Sequence, residues 1–280
     1  MFDMLLRTQE ALSQLNNSML ELQATKNFDK AKEIIDTAEQ RYKSADLSLN
    51  VSIKDTQKYL DSLGALKVNI FNNQIKHLIS VIKKTKQSSS KLDGFSESIV
   101  IENIENYEGF VFEDFKLERL LLSMKSLNIT VANLVSFISG KNIPDFYVGQ
   151  NNIPLCQFSS YVMSSAHSFQ VIDMVKKSEE AITQANEYDA KICIEISKIL
   201  NLKINLEAIQ KTTSEMELII KQVANKYDLI RVEDFTNLNK FQQMVALGKA
   251  LKQILDIPII KNGEVIKNVR SIASGYIKID

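Results

Sequence analysis

The chain has 280 residues and carries 34 basic and 34 acidic side chains. This length is enough to bury a substantial core, and the balanced charge gives no overall field that would attract nucleic acid, so we expect no nucleic-acid partner. Only 8 glycines and 3 prolines are present. Because sheets need many turns built from such residues, the composition favours a few long helices.

The N-terminal stretch mixes charged and apolar residues. Asp3, Arg7 and Glu10 interrupt it, so it lacks the continuous apolar core of a signal peptide. Cys156 and Cys193 lie far apart in the sequence and lack the spacing of a redox or metal motif, so we expect two reduced and packed thiols. Both observations favour a cytoplasmic location.

A long helix is predicted from about residue 27 to residue 88, with Asn27 as its N-cap. Its apolar residues recur mostly at alternating steps of three and four, which is the spacing of a coiled-coil seam. The residues of this seam are Phe28, Ala31, Ile35, Ala38, Tyr42, Ala45, Leu49, Ile53, Thr56, Leu60 and Leu63.

The middle segment, residues 89–154, contains one further predicted helix over about 113–139. Residues 120–139 are the most apolar stretch of the chain, but Lys125, Asn128 and Asn133 lie within it. A lysine near the centre of a membrane span costs about 2.5–3.5 kcal/mol, so we expect a buried core helix. The alternative is an apolar element near 115–140 that is hidden in the folded protein and becomes exposed later.

A second long helix is predicted over about 155–230, again with steps of three and four. Each long helix leaves an apolar stripe that must be buried, so we expect the two to pair in antiparallel directions. The predicted fold is all-α: a single elongated helical domain over residues 1–280, built on two long antiparallel coiled-coil-like helices. The stripe of the second helix is Val171, Val175, Ser178, Ile182, Ala185, Asp189, Ile192, Ile196, Ile199, Lys203, Leu206, Ile209, Thr213, Met216, Ile220, Val223, Tyr227 and Ile230.

A C-terminal helix is predicted over about 236–256, followed by a tail over 257–280. Gly248 lies on its apolar stripe, where a residue without a side chain lets a neighbouring helix approach closely. We therefore expect Gly248→Leu to destabilise the fold by about 1–3 kcal/mol through overpacking. Pro258 ends the helix, and Asn262 with Gly263 forms a turn before a short last helix.

Residues that could carry chemistry are scarce. His77 and His167 are the only histidines, and neither belongs to a helical pair of metal ligands. The glycines are scattered singly, so no glycine-rich phosphate loop is present. We therefore expect no catalytic residue, no cofactor, no bound metal and no small-molecule substrate, and we interpret the chain as one that is not an enzyme.

Lysines cluster near the end of the first long helix, and an acidic run follows over residues 93–118. Lys83, Lys84 and Lys86 could contact a phosphate group or a lipid surface, and the acidic run could bind a basic partner. The favoured interpretation is that lysines suit a helix C-terminus and that the following acidic side chains neutralise them within the molecule.

Two stretches resemble a poorly characterised family of bacterial helical coiled-coil proteins. They are LGALKVNIFNNQIKHLISVIKKTK (63–86) and KFQQMVALGKALKQILDIPIIKNGEV (240–265). Members of that family carry a glycine- and alanine-rich apolar segment between these stretches, which suggests membrane association, and this chain is polar-punctuated and glycine-poor there. Long helices with an apolar insertion are also similar in shape to α-helical pore-forming toxins.

The leading hypothesis is a non-enzymatic helical interaction or scaffold protein of bacterial type, with a protein partner. The alternative is a membrane-acting protein of the α-helical pore-former type, in which the element near 115–140 is the hidden apolar segment; a membrane partner is less favoured. A third hypothesis is self-association of the chain through its long seams.

Overall fold

The computed structural model describes residues 2–88, 115–124, 147–148, 153–154, 171–234 and 236–275. The described elements are α1 (Phe2–Ile70), a π-helical turn (Phe71–Ile75), α2 (Lys76–Ser88), α3 (Leu117–Leu122), β1 (Tyr147–Val148), β2 (Ile153–Pro154), α4 (Val171–Ile230), α5 (Leu238–Leu255), β3 (Ile260–Lys261), β4 (Glu264–Val265) and α6 (Val269–Ser274). The predicted all-α class is confirmed, since the described strands form only two antiparallel two-residue pairs.

The chain divides into two compact units. The first contains Met1–Asn50 and Ser136–Asn201, and the second contains Val51–Val135 and Leu202–Asp280. Both long helices, α1 and α4, contribute to both units. The single domain over residues 1–280 stays a prediction.

The two long helices pack against each other, as predicted, but they run parallel. In the first unit, Asn27 bonds to Ser178, and further along both helices Arg41 pairs with Asp189. In the second unit the same order holds: Thr56 receives a hydrogen bond from Gln210, Gln74 donates to Asp228, and His77 meets Tyr227. The residues in these pairs are 148 to 154 positions apart. The expected antiparallel direction is therefore wrong.

The segment that leads into α3 packs against α1 in the second unit. The Gln57 side chain bonds to the Leu117 N–H and to the Phe115 carbonyl, and Phe115 packs beside Gly64. The antiparallel prediction rested on the need to bury both apolar stripes, and that need is met by helices running in either direction.

The first helix begins much earlier than predicted, at Phe2 instead of near residue 27. Asn27 does not cap it. The Asn27 side chain points across to α4, where its Nδ2 donates to Ser178 Oγ at 3.1 Å. The preceding residues carry no apolar stripe toward α4, because the positions that would continue the buried seam include Gln14, Asn17 and Glu21. The prediction followed only the seam that faces α4, so it placed the start of the helix too late.

The buried seam of α4 follows a strict seven-residue repeat that differs from the predicted stripe over residues 178–206. The predicted Ile182, Asp189 and Lys203 are only half-buried. Their places in the core are taken by the preceding residues Ala181, Tyr188 and Leu202. Half-buried Glu195 fills one further position of the repeat. The buried residues are Ser178, Ala181, Ala185, Tyr188, Ile192, Ile199, Leu202, Leu206, Ile209, Thr213, Met216, Ile220, Val223 and Tyr227.

The C-terminal helix matches its predicted bounds closely, and a buried lysine holds its end. Asn237 caps the start of α5 by accepting the Lys240 N–H at 3.1 Å. At the other end, Lys67 of α1 is 3% exposed. Its Nζ donates to the carbonyls of Leu255 at 2.7 Å and Ile257 at 3.3 Å. A cation there stabilises carbonyls that have no partner within the helix, and it complements the negative end of the helix dipole.

The tail beyond α5 is more ordered than predicted. Asn262 and Gly263 both have positive φ angles, of 57° and 84°, which is the geometry of a tight turn between paired strands. The predicted turn is therefore confirmed, with the strands β3 and β4 on either side of it. The short last helix, α6, begins at Val269 instead of near Glu264, because residue 264 is paired in β4.

Two predicted helical stretches extend beyond the described residues. Of the helix expected over 113–139, residues 115–124 are described, and the helix within them is Leu117–Leu122. Of the helix expected over 155–230, residues 171–230 are described, and they are helical throughout.

Gly248 sits where α5 meets the end of the first long helix. A Cβ at Gly248 would overlap Leu78 Cδ2 and would lie 3.6 Å from Tyr227 Cε2. Leu78 and Tyr227 are both fully buried, so neither side chain can easily move aside. A Cβ at the other helical core glycine, Gly64, would lie 3.5 Å from the Phe115 ring, which is an ordinary contact distance.

We expect Gly248→Ala and Gly64→Ala to change stability in opposite directions. Overpacking at Gly248 costs about 1–3 kcal/mol, of which the better helix propensity of alanine returns at most about 1 kcal/mol. Gly64→Ala gains the propensity without a clash, so it should raise the free energy of unfolding by up to about 1 kcal/mol. Urea unfolding of both variants measures the difference, and equal changes in the two would contradict the packing role of Gly248.

Candidate functional site

The predicted site residues lie apart from one another. Lys83 and Lys84 are exposed near the end of α2, and the side chain of Lys86 is outside the described residues. Gly248 is buried in the middle of α5, and Pro258 is exposed just after its end. An anion-binding role for the lysines stays a prediction.

A histidine and a tyrosine face each other in the core of the second unit. The His77 Nδ1 atom lies 2.8 Å from Tyr227 Oη, and the rings meet edge to face. His77 Nε2 lies 3.3 Å from Glu233 Oε1. Gln74, in the π-helical turn that precedes His77, donates to the Asp228 carboxylate at 2.9 Å. These contacts join the end of the first long helix to the end of α4 and to the segment beyond it.

Burial sets the protonation states in this cluster. Desolvation is the largest effect and lowers the pKa of His77; Arg231 lowers it further, Glu233 raises it, and Lys84 lowers it. Desolvation also raises the pKa of Tyr227. The imidazole is therefore neutral and the phenol protonated near neutral pH, so Tyr227 donates to Nδ1 and the Nε2–H faces Glu233.

The cluster is suited to holding elements together rather than to catalysis. The Tyr227 side chain is fully buried and His77 is 8% exposed, so a substrate has no approach to the atoms that would act as a base or nucleophile. Because the pKa of His77 is lowered below its usual 6.5, the unfolded chain takes up the proton more readily. The cluster's contribution to stability is therefore present above pH 6.5 and is lost as the pH falls from there toward the folded-state pKa.

An open groove lies between α1 and α4 in the first unit. It has a volume of about 650 Å³, and Arg41 and Cys193 are among its lining residues. Arg41 is paired with Asp189, and its Nη1 lies 3.8 Å from Cys193 Sγ. The thiol of Cys193 is free and exposed, so the expectation of a packed cysteine is wrong there; the residue lies just beyond the seam residue Ile192. Cys156 lies outside the described residues.

The most distinctive surface is a run of exposed apolar side chains near the start of α1. Leu12, Leu15, Met19 and Leu22 are between 59% and 66% exposed, and we refer to these four residues as the N-terminal seam. Their spacing of three, four and three positions is that of a heptad seam, and such a row is unlike the scattered single apolar residues common on protein surfaces. The N-terminal seam was not predicted, although the same spacing is visible in the sequence.

The N-terminal seam points away from the core of the first unit. At 3.6 residues per turn it lies roughly 160° around the helix from the face that begins at Ala24 and Phe28 and packs toward α4. Its flanking positions are uncharged and include Ala11, Asn16 and Ser18. The geometry offers a helix-shaped apolar strip with neutral edges, which is what a helical partner needs.

Within the described residues, no group of three or more His, Cys, Asp or Glu side chains could hold a metal ion. None of the described helices is both long enough and apolar enough to cross a membrane. The chain was compared with protein-family models, curated proteins and solved structures, and none of them matched it.

Two surface substitutions should move the pKa of His77 in opposite directions. Arg231→Gln removes a cation that lowers this pKa and should raise it, whereas Glu233→Gln removes an anion that raises it and should lower it. NMR titration of the imidazole protons measures both shifts, with a His167→Gln background to leave a single histidine. Shifts in the same direction in both variants would contradict the proposed electrostatics.

Proposed function

We propose that this protein is a non-enzymatic helical interaction or scaffold protein of bacterial type that acts in the cytoplasm. The observation that carries the proposal is the exposed N-terminal seam, because four large apolar side chains in one row are costly to leave in water. Covering them with a partner helix would remove that cost.

The rest of the described structure is consistent with a rigid support for such a surface. The cross-helix hydrogen bond of Asn27 and the ion pair of Arg41 attach α4 to α1 at positions that follow the N-terminal seam. A binding surface on a rigid helix loses little conformational freedom when a partner docks, which favours affinity.

Capture from native cells tests the proposal. A tagged wild-type chain should retain one or more proteins that the variant Leu15→Glu/Met19→Glu does not retain, because each glutamate would have to be buried without a partner. The matched control is Leu200→Glu/Ile204→Glu. It places two glutamates four positions apart on α4, at positions where the native leucine and isoleucine are exposed. This control should retain the same proteins as the wild type.

Each captured protein would then be purified and its binding to both variants repeated with the isolated components. We call Leu15→Glu/Met19→Glu the seam variant. Binding to the wild type and to the control, with an affinity at least about tenfold lower for the seam variant, supports the proposal. If nothing is retained through the N-terminal seam, neither another protein nor a second copy of the chain, the proposal is wrong.

The membrane-acting alternative predicts a different result. A pore-former would release dye from lipid vesicles, and it would do so through the apolar element near 115–140. In the described part of that element, Leu117 and Leu121 are buried, so leakage would require their exposure. Leakage that persists in the seam variant would favour this alternative over the interaction protein.

A further inference from the structure

We propose that the N-terminal seam binds a second copy of this chain, forming a weak dimer through α1. This inference rests on the proposed interaction function and names its partner. The seam residues are exposed on the face of α1 that points away from α4, so the pairing of the two long helices within the chain does not use them.

Charge is the first argument for a second copy. The positions flanking the N-terminal seam hold Gln9, Ala11, Asn16, Ser18 and Gln23, and none of these is charged. Coiled-coil helices that select a different partner use charged residues at these positions to attract it and to repel copies of themselves. A neutral edge carries no such selection against self-pairing, and the small Ala11 and Ser18 allow two helices to approach closely.

The pattern of the seam is the second argument. Leucine at Leu12, Leu15 and Leu22 with methionine at Met19 presents knobs of similar size in every turn, so two copies fit each other in either direction. In the sequence, Leu5 and Thr8 continue the same spacing toward the start of α1. The full stretch from Leu5 to Leu22 is about 27 Å long at 1.5 Å per residue.

The area available sets the strength of the dimer. Covering one such side chain removes roughly 60–120 Å² of apolar surface from water, so the eight seam side chains of two copies would bury roughly 500–1,000 Å². Stable interfaces usually bury at least about 1,200 Å². We therefore expect an association that depends on concentration, in which monomer and dimer exchange.

A lipid surface is a poorer match for the same residues. Helices that lie on membranes carry lysines and arginines beside their apolar face. Around the N-terminal seam the charged residues are Asp3, Arg7, Glu10, Glu21 and Lys26, of which two are basic and three are acidic. This stretch has no excess of positive charge to attract an anionic membrane.

Sedimentation equilibrium of the full chain over a wide range of concentrations tests the dimer. The wild type should rise from the mass of one chain to that of two. Leu15→Glu/Met19→Glu and Leu15→Lys/Met19→Lys should each stay monomeric, with self-association weakened at least about a hundredfold by the buried like charges. An equimolar mixture of these two variants should regain the dimer, because glutamate then faces lysine in parallel and antiparallel pairing alike.

The mixture distinguishes loss of the interface from loss of the fold, because two misfolded variants would not form a dimer when mixed. Leu200→Glu/Ile204→Glu should dimerise like the wild type. A wild type that is monomeric throughout, or a dimer that survives in both charged variants, would overturn the inference. The inference would also be overturned if the wild type sedimented with neutral phosphatidylcholine vesicles and the charged variants did not, because the seam would then bind lipid.

The capture experiment distinguishes this inference from the proposed function itself. If the tagged chain retains a different protein through the N-terminal seam while sedimentation shows only monomer, the dimer is wrong and the interaction function stands. If neither experiment shows an effect of the seam variants, both are wrong.

Discussion

Polar side chains within the seam hold the two long helices in one register, and the rest of the architecture depends on that register. Apolar side chains alone would let one helix slide along the other by a heptad at little cost. The bonds from Asn27 to Ser178 and from Gln210 to Thr56 would then break. Each such hydrogen bond contributes about 0.5–1.5 kcal/mol, although the Ser178 and Thr56 hydroxyls would keep their bonds within their own helices. The apolar seam supplies the stability of the pairing, and the polar contacts select its direction and its offset.

The same register determines which surfaces stay open. Because α1 directs the face that begins at Ala24 toward α4, its opposite face near the N-terminus is left uncovered by this pairing. The second unit gathers more elements around the end of the first long helix: Lys67 reaches the end of α5, and Gly248 lets α5 approach Leu78. These contacts of Lys67 and Gly248 lie in the second unit, while the exposed N-terminal seam belongs to the first.

The spacing of apolar residues and the positions of glycine and proline predicted much of this fold. The low glycine and proline content indicated long helices, the steps of three and four located the seam of α1, and the sequence around Pro258 located the end of α5. These features are local, because a residue's neighbours at three and four positions decide whether a helix face is apolar.

The features that were missed depend on distant parts of the chain. Helix direction is set by contacts between residues about 150 positions apart, and the burial of Lys67 follows from carbonyls of Leu255 and Ile257, which are 188 and 190 positions away. No local pattern marks that lysine as different from an exposed one. The N-terminal seam is the exception, because its spacing was visible in the sequence. The helix was expected to begin after it, so the seam was not predicted to be an exposed helical surface.

The parallel pairing of the long helices is the central claim, and a cross-link to the native Cys193 tests it most directly. In a chain with Cys156→Ser, Gln40→Cys places a second thiol in the groove that Cys193 lines, so a short bis-maleimide should join the two within a monomer. In an antiparallel pair that folds back after α2, Cys193 would instead lie near Ala65. Efficient cross-linking of Gln40→Cys and none of Ala65→Cys is the result expected for parallel helices, and the reverse result would contradict the account.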